Sequence, residues 1–157
     1  MRGEKMTACR EQILAAVAAA LGTITAVAGL AVERDRAEDQ PITTAELPRL
    51  VVYDDGEAEE PLFTGERDVT LSVAIEGYCA GATPLAAQQA AAVLRAEVDR
   101  VLLADPPLAG LARDVRLAGE GEPARLELPG ADPVECFARV IEIDYATAEL
   151  DPEIFAD

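Results

Sequence analysis

Asp54, Asp55, Glu57, Glu59 and Glu60 put five carboxylates within seven residues. Oxygen ligands at that density suit a hard divalent cation, but the spacing matches no calcium-binding loop. The stretch reads instead as a solvated acidic connection with no metal. The chain contains no histidine. That excludes histidine acid–base catalysis and histidine metal ligation. The only serine, Ser72, lies inside an alternating apolar run, without the Gly-x-Ser-x-Gly elbow that would expose a nucleophile. "GEGEPA", 119–124, lacks the spacing and the lysine of a phosphate loop, and no Gly-x-Gly-x-x-Gly follows a strand. Cys9, Cys79 and Cys136 are too far apart for a disulfide framework or a zinc pattern, and no neighbouring charge activates them. They read as free, partly buried thiols of a reducing cytoplasm. No catalytic residue, metal or cofactor is expected, and the sequence points away from an enzyme.

The charge balance is 13 basic against 30 acidic residues, a net −17. Binding to nucleic-acid phosphates needs a basic footprint, and none is present. A surface this acidic repels DNA, which suits a protein past which DNA must slide.

The elements that would position these groups follow from hydrophobic periodicity. No charge falls between Ile13 and Val32. The run is long enough to span a bilayer, but alanine and glycine dominate it and gain little in lipid. Ala26-Val27-Ala28 resembles a signal-peptidase site, giving a secreted alternative that starts at Gly29. The stripe Ile13, Leu14, Val17, Leu21 and Ile24 favours a third reading: a helix capped by Thr7 with Glu11 in its first turn, a stop at Gly22, and a strand through Leu30, Val32, Arg34 and Arg36. Residues 37–46 read as a polar loop, 47–53 as a strand entered at Pro48, and 54–66 as an acidic hairpin connection. Val69, Leu71, Val73 and Ile75 alternate with Thr70, Ser72, Ala74 and Glu76, the signature of a half-buried strand. Thr83 and Pro84 open a helix over 83–105, with Leu94, Val98, Val101 and Leu102 on its apolar face and an Arg95–Asp99 pair on the other. Two short strands around a Gly/Pro turn follow. A long strand over 135–147 then turns Phe137, Arg139, Ile141, Ile143 and Tyr145 one way. The order α-β-β-β-α-β-β-β implies an α+β fold, a mainly antiparallel β-sheet with the two main helices packed on one face. Residues 1–6 read as a flexible leader, 7–147 as one domain, and 148–157 as an acidic, fraying tail.

Two segments carry a family resemblance. "VERDRAEDQPITTAELPRLVVYDDGEAEE" combines an Arg-x-Arg strand, a Pro-containing loop, Glu-Leu-Pro-x-Leu-x-Val-Tyr and trailing acidic residues. "LLADPPLAGLARDVRLAGEGEP", closed by "ARVIEIDYAT", supplies an Asp-Pro-x-Leu-x-Gly-Leu segment and a last strand. In this order the chain resembles the tail terminator (minor tail protein U-like) proteins of tailed bacteriophages and prophages. The resemblance implies a structural protein of the virion tail, assembled in the host bacterial cytoplasm. It implies a homo-oligomeric, typically hexameric ring at the head-proximal end of the tail tube. Its expected partners are the tail tube protein and a head–neck connector, while DNA passes through without specific binding and no membrane is involved. The candidate subunit, lumen or partner contacts are Asp54, Asp55, Glu57, Glu59, Glu60, Arg34 and Arg36. Tyr53, Phe63 and Tyr78 are interface anchors or core residues. A head-completion or neck adaptor protein, and a generic acidic α+β protein-binding module, remain open alternatives.

Overall fold

The computed structural model describes residues 8–37, 39–61, 65–121, 132–148 and 151–156. Its elements run α1 (Cys9–Leu21), β1 (Ala31–Arg34), β2 (Arg49–Pro61), β3 (Glu66–Ala80), α2 (Pro84–Leu102), β4 (Asp114–Gly121), β5 (Val134–Ala148) and β6 (Asp151–Phe155). All six strands join one sheet in the order β1-β2-β3-β5-β4, with β6 also on β5. The β1–β2 pair is parallel and every other pair is antiparallel. The fold is therefore α+β, with both helices on one face of a mainly antiparallel sheet.

The long antiparallel pair β3–β5 forms the centre. Val69, Leu71, Val73 and Ile75 of β3, and Ile141, Ile143 and Tyr145 of β5, all face the helices and are almost fully buried. Period-2 alternation and one-sided cover are the same fact: a sheet with a helix layer on one face buries every second residue. From above, α1 contributes Ile13, Leu14, Val17 and Leu21, and α2 contributes Ala91, Leu94, Val98 and Leu102. The α2 start behaves as its sequence demands: the Thr83 hydroxyl accepts a hydrogen bond from the Ala86 N–H at 3.1 Å, with Pro84 in the first turn. Thr7, expected to cap α1, lies outside the described residues, and Ala8 occupies the cap position without a side-chain bond.

Several expectations need correction. Residues 54–66 are not simply a connection. Strand β2 continues to Pro61, with a bulge between Asp54 and Glu57, so all five carboxylates sit on a strand. The C-terminal segment does not fray over 151–155: it forms β6, and Phe155 packs edge-on against Tyr145 at 5.9 Å. The first strand ends at Arg34, because Asp35 takes φ 50°, and Arg36 therefore lies outside it. Asp99 also meets Arg139 across the α2–β5 interface, a contact that the helix pattern alone does not anticipate. The second short strand expected before β5 falls on residues outside the described set, as do the 1–6 leader and Phe63.

A smaller cluster lies on the opposite face of the sheet. Ile42 and Leu47, from the 37–48 loop, cover Val51, Tyr53, Tyr78 and Cys136. That end of the second face is thus roofed by the loop. Toward β4, no described element covers it.

Candidate functional site

The β2 bulge decides what the acidic stretch does. Two ordinary strand steps separate Val73 from Leu71 on β3, but three separate their partners Asp54 and Glu57 on β2. The extra residue is accommodated at Gly56, whose φ of +99° suits a residue without a Cβ. Residues three apart on a regular strand point to opposite faces. Here the bulge resets the alternation, so Asp54 and Glu57 both face the helix layer.

There they meet Arg10 of α1. The guanidinium donates from Nε to Asp54 Oδ2 at 2.7 Å and from Nη2 to Oδ1 at 2.5 Å, and its Nη1 lies 3.0 Å from Glu57 Oε1. The Gly56 N–H also donates to Asp54 Oδ1 at 3.1 Å. The Tyr145 hydroxyl donates to the other Glu57 oxygen at 3.3 Å. Arg10 holds the Asp54 carboxyl below its ordinary range, against the opposing effect of burial. Burial, reinforced by Glu57, pushes the Tyr145 hydroxyl well above its usual value.

The other candidates divide in the same way. Glu59 accepts from Arg67 at 2.9 Å. Arg34 reaches up to Glu11 of α1 with two bonds of 3.0 and 2.9 Å. Arg36 ties the chain after β1 to the loop: it donates to Glu33, to Glu46 and to the backbone oxygens of Gln40 and Pro41. Asp54, Glu57, Glu59, Arg34 and Arg36 therefore fasten elements within the subunit. Asp55 and Glu60 face solvent and make no ion pair among the described residues. Tyr53 and Tyr78 belong to the small second-face cluster, and the Tyr78 hydroxyl donates to Glu76.

Sequence reasoning missed the charge on the open part of the second face. A groove of about 410 Å³ crosses it, lined by Glu60, Asp68, Thr70, Arg113, Asp114 and Asp144 among others. Strand register sets Glu60 directly opposite Asp68, and Asp114 directly opposite Asp144. Like charges in facing positions destabilise a sheet unless a cation bridges them. Arg116 does so for one pair, 2.5 Å from Asp144, 3.4 Å from Asp114 and 2.6 Å from Glu142. Arg113 lies 3.3 Å from Asp68 and from Glu66. Burial pushes the Asp144 carboxyl up, but Arg116 and the Thr70 hydroxyl outweigh it and hold the group below its ordinary value. The signal was present in the sequence: Glu142 and Asp144 alternate with the buried face of β5, and Arg116 with that of β4. Only the register joins them.

All three cysteines are buried and free. Burial pushes the Cys79 thiol up to about 11, the opposite of an activated thiolate. Among the described residues no group of three metal-ligating side chains converges. No helix among them is long and apolar enough to cross a membrane. No protein-family model matches the chain, and no curated protein matches it.

Proposed function

We propose that this chain is a tail terminator of a tailed bacteriophage or prophage. In this role it forms a ring on the head-proximal end of the tail tube, stops tube polymerisation and presents the surface for head attachment. The observation that carries the reading is where the resembling segments fall. Residues 32–60 supply β1, its loop and β2; the second segment supplies β4; and "ARVIEIDYAT" lies in β5. They flank β3 on both sides in one sheet. The likeness thus spans the folded unit and not one loop. The net charge of −17 supports a ring that DNA passes without adhering. With Asp54, Glu57 and Glu59 engaged inside the subunit, and Asp68, Asp114, Glu142 and Asp144 bridged by Arg113 and Arg116, Asp55 and Glu60 are among the carboxylates left to supply that field.

Native mass spectrometry with negative-stain imaging, at low and high salt, tests ring formation, since screening relieves repulsion between acidic subunits. Rings of one fixed number are the expected result. Binding to tail tube protein, with none to portal or neck protein, separates a terminator from a neck adaptor. No affinity for assembled tail tube sinks the reading.

A further inference from the structure

The loop that roofs one end of the second sheet face packs as a unit of its own. Strands β1 and β2 run parallel, with Ala31 beside Arg49 and Arg34 beside Val52. The chain leaving Arg34 must therefore travel back along the pair before it reaches Arg49, over one face of the sheet. A helix usually makes such a return. Here the described residues between the two strands hold one 3-10 turn, Thr44–Glu46. That leaves the loop without a ladder. Among the described residues, every backbone hydrogen bond of residues 39–47 stays inside the loop: Gln40 N–H to Ala37 O, Glu46 N–H to Thr43 O and Leu47 N–H to Thr44 O.

Its packing is separate as well. Ile42 is buried in one cluster with Val51, Tyr78 and Cys136, and Leu47 and Tyr53 lie against it. None of these belongs to the cluster between sheet and helices, which holds Cys9 and Cys79. The polar ties between loop and strands converge on one side chain. The Arg36 guanidinium, 10% exposed, donates to the backbone oxygens of Gln40 and Pro41 and to Glu46 on the loop side, and to Glu33 of β1 at 2.5 Å. Beside it, the Arg49 Nε–H donates to the Glu46 carbonyl at 3.2 Å.

We infer that residues 39–47 are a latch: they lift off the second face as a unit, with Arg36 as the catch, while the sheet and both helices stay folded. Lifting breaks no strand-pairing bond, since β2 keeps its register with β3 and β3 with β5. It uncovers the few side chains of the small cluster, whereas parting the helix layer uncovers the main core. Segments open in the order of that cost. The bared end, Val51, Tyr78 and Cys136, lies on the same face as the part that no described element covers, so the latch sets how much of this face is accessible. The inference does not depend on the terminator reading.

The test treats the full chain with iodoacetamide at neutral pH, in urea well below the unfolding transition, and follows each cysteine by peptide mass. The rate at each thiol reports how often its site opens. Cys136 should react at least ~10-fold faster than Cys9 and Cys79. Arg36→Ala should speed Cys136 by a further ~10-fold or more and leave the other two unchanged. Glu46→Gln takes its place if Arg36→Ala misfolds. Arg10→Ala, which cuts a tie on the helix side, should not favour Cys136, and a selective gain there overturns the assignment of the catch. Three cysteines that react together overturn the latch, because the loop then leaves only with the whole fold. So does an Arg36→Ala variant in which all three speed up equally. A fast Cys136 that ignores the substitutions at Arg36 and Glu46 overturns it too, since the opening would then be a fraying of the start of β5.

Discussion

Arg10 and Asp54 are joined by two parallel hydrogen bonds, Nε to Oδ2 at 2.7 Å and Nη2 to Oδ1 at 2.5 Å. They bolt the first turn of α1 to the bulged part of β2. The pair is partly shielded, with side chains 34% and 23% exposed, so it exceeds an open surface ion pair but stays below a buried one. Arg10→Ala and Asp54→Ala should each cost about 1–2 kcal/mol in urea unfolding. The double variant should recover about 1 kcal/mol of coupling. Strict additivity would show that the bidentate geometry contributes nothing.

The bulge lets Glu57 join that contact, which leads to a second expectation. Deleting Gly56 removes the extra residue and leaves Asp54 and Glu57 two apart on a regular strand, so Glu57 and Glu59 keep facing the helix layer and Arg10. Gly56→Val keeps the residue count but forces a β-branched side chain to φ +99°. It should cost about 1–3 kcal/mol. The deletion should cost less than the substitution, because it keeps Asp54 and Glu57 on the face of Arg10 and removes the positive φ. Equal losses by denaturant titration would mean that the bulge itself, and not only strain at φ +99°, matters at this position.

How much of this could be read from sequence depends on which physical signal each segment carries. The β3 alternation was legible because Val69, Leu71, Val73 and Ile75 face a core while their neighbours do not. Thr83-Pro84 announced α2 because capping is local. The acidic half of β2 looked like a turn because carboxylates and glycine are depleted in strands. It can be a strand because β1 pairs only as far as Val52, leaving residues beyond it on an open edge. Edge strands tolerate charge, and their charge discourages pairing with other chains. Residues 148–157 read as a fraying tail for a similar reason: acidic residues are frequent in the segment, and the partner of Phe155, Tyr145, is supplied by another strand. The Arg10–Asp54 and Arg116–Asp144 contacts left no local trace, since each depends on tertiary register.

Gly77 and Gly81 should respond differently to alanine. A Cβ on Gly77 would sit 2.2 Å from the Phe137 ring, and one on Gly81 would sit 2.4 Å from the Ala87 backbone nitrogen. Both substitutions should destabilise by about 2 kcal/mol or more through overpacking. Only the first obstacle is a side chain. Phe137→Leu should therefore rescue much of the Gly77→Ala loss, whereas no single side-chain truncation rescues Gly81→Ala. Thermal melts of the three variants and the double variant decide it. A double variant no more stable than Gly77→Ala would place the strain in the backbone of β3.

The pH profile follows from which groups titrate and in which direction they are held. Asp54 is held below its ordinary value by Arg10, and Asp144, despite burial, by Arg116 and Thr70. The folded form therefore releases these protons more readily than the unfolded chain. Their contribution is present above the unfolded carboxyl value of about 3.9 and is lost as pH falls through the lower folded values. Cys79 is pushed in the other sense, from 9.0 up to about 11 by burial. Its contribution is complete below pH 9.0 and drains away as pH rises from there through about 11. Tyr78 and Tyr145, both held above the ordinary 10.0, extend the loss at still higher pH. The chain has no histidine, so little should change between about pH 6 and 8. Urea midpoints across the range should give a flat plateau with losses at both ends, and Asp54→Asn should flatten the acid limb. A thiol reagent at neutral pH should label none of the three buried cysteines until denaturant is added. A sloping plateau, or rapid labelling of Cys79 in the native protein, would contradict the buried, uncharged state of these groups.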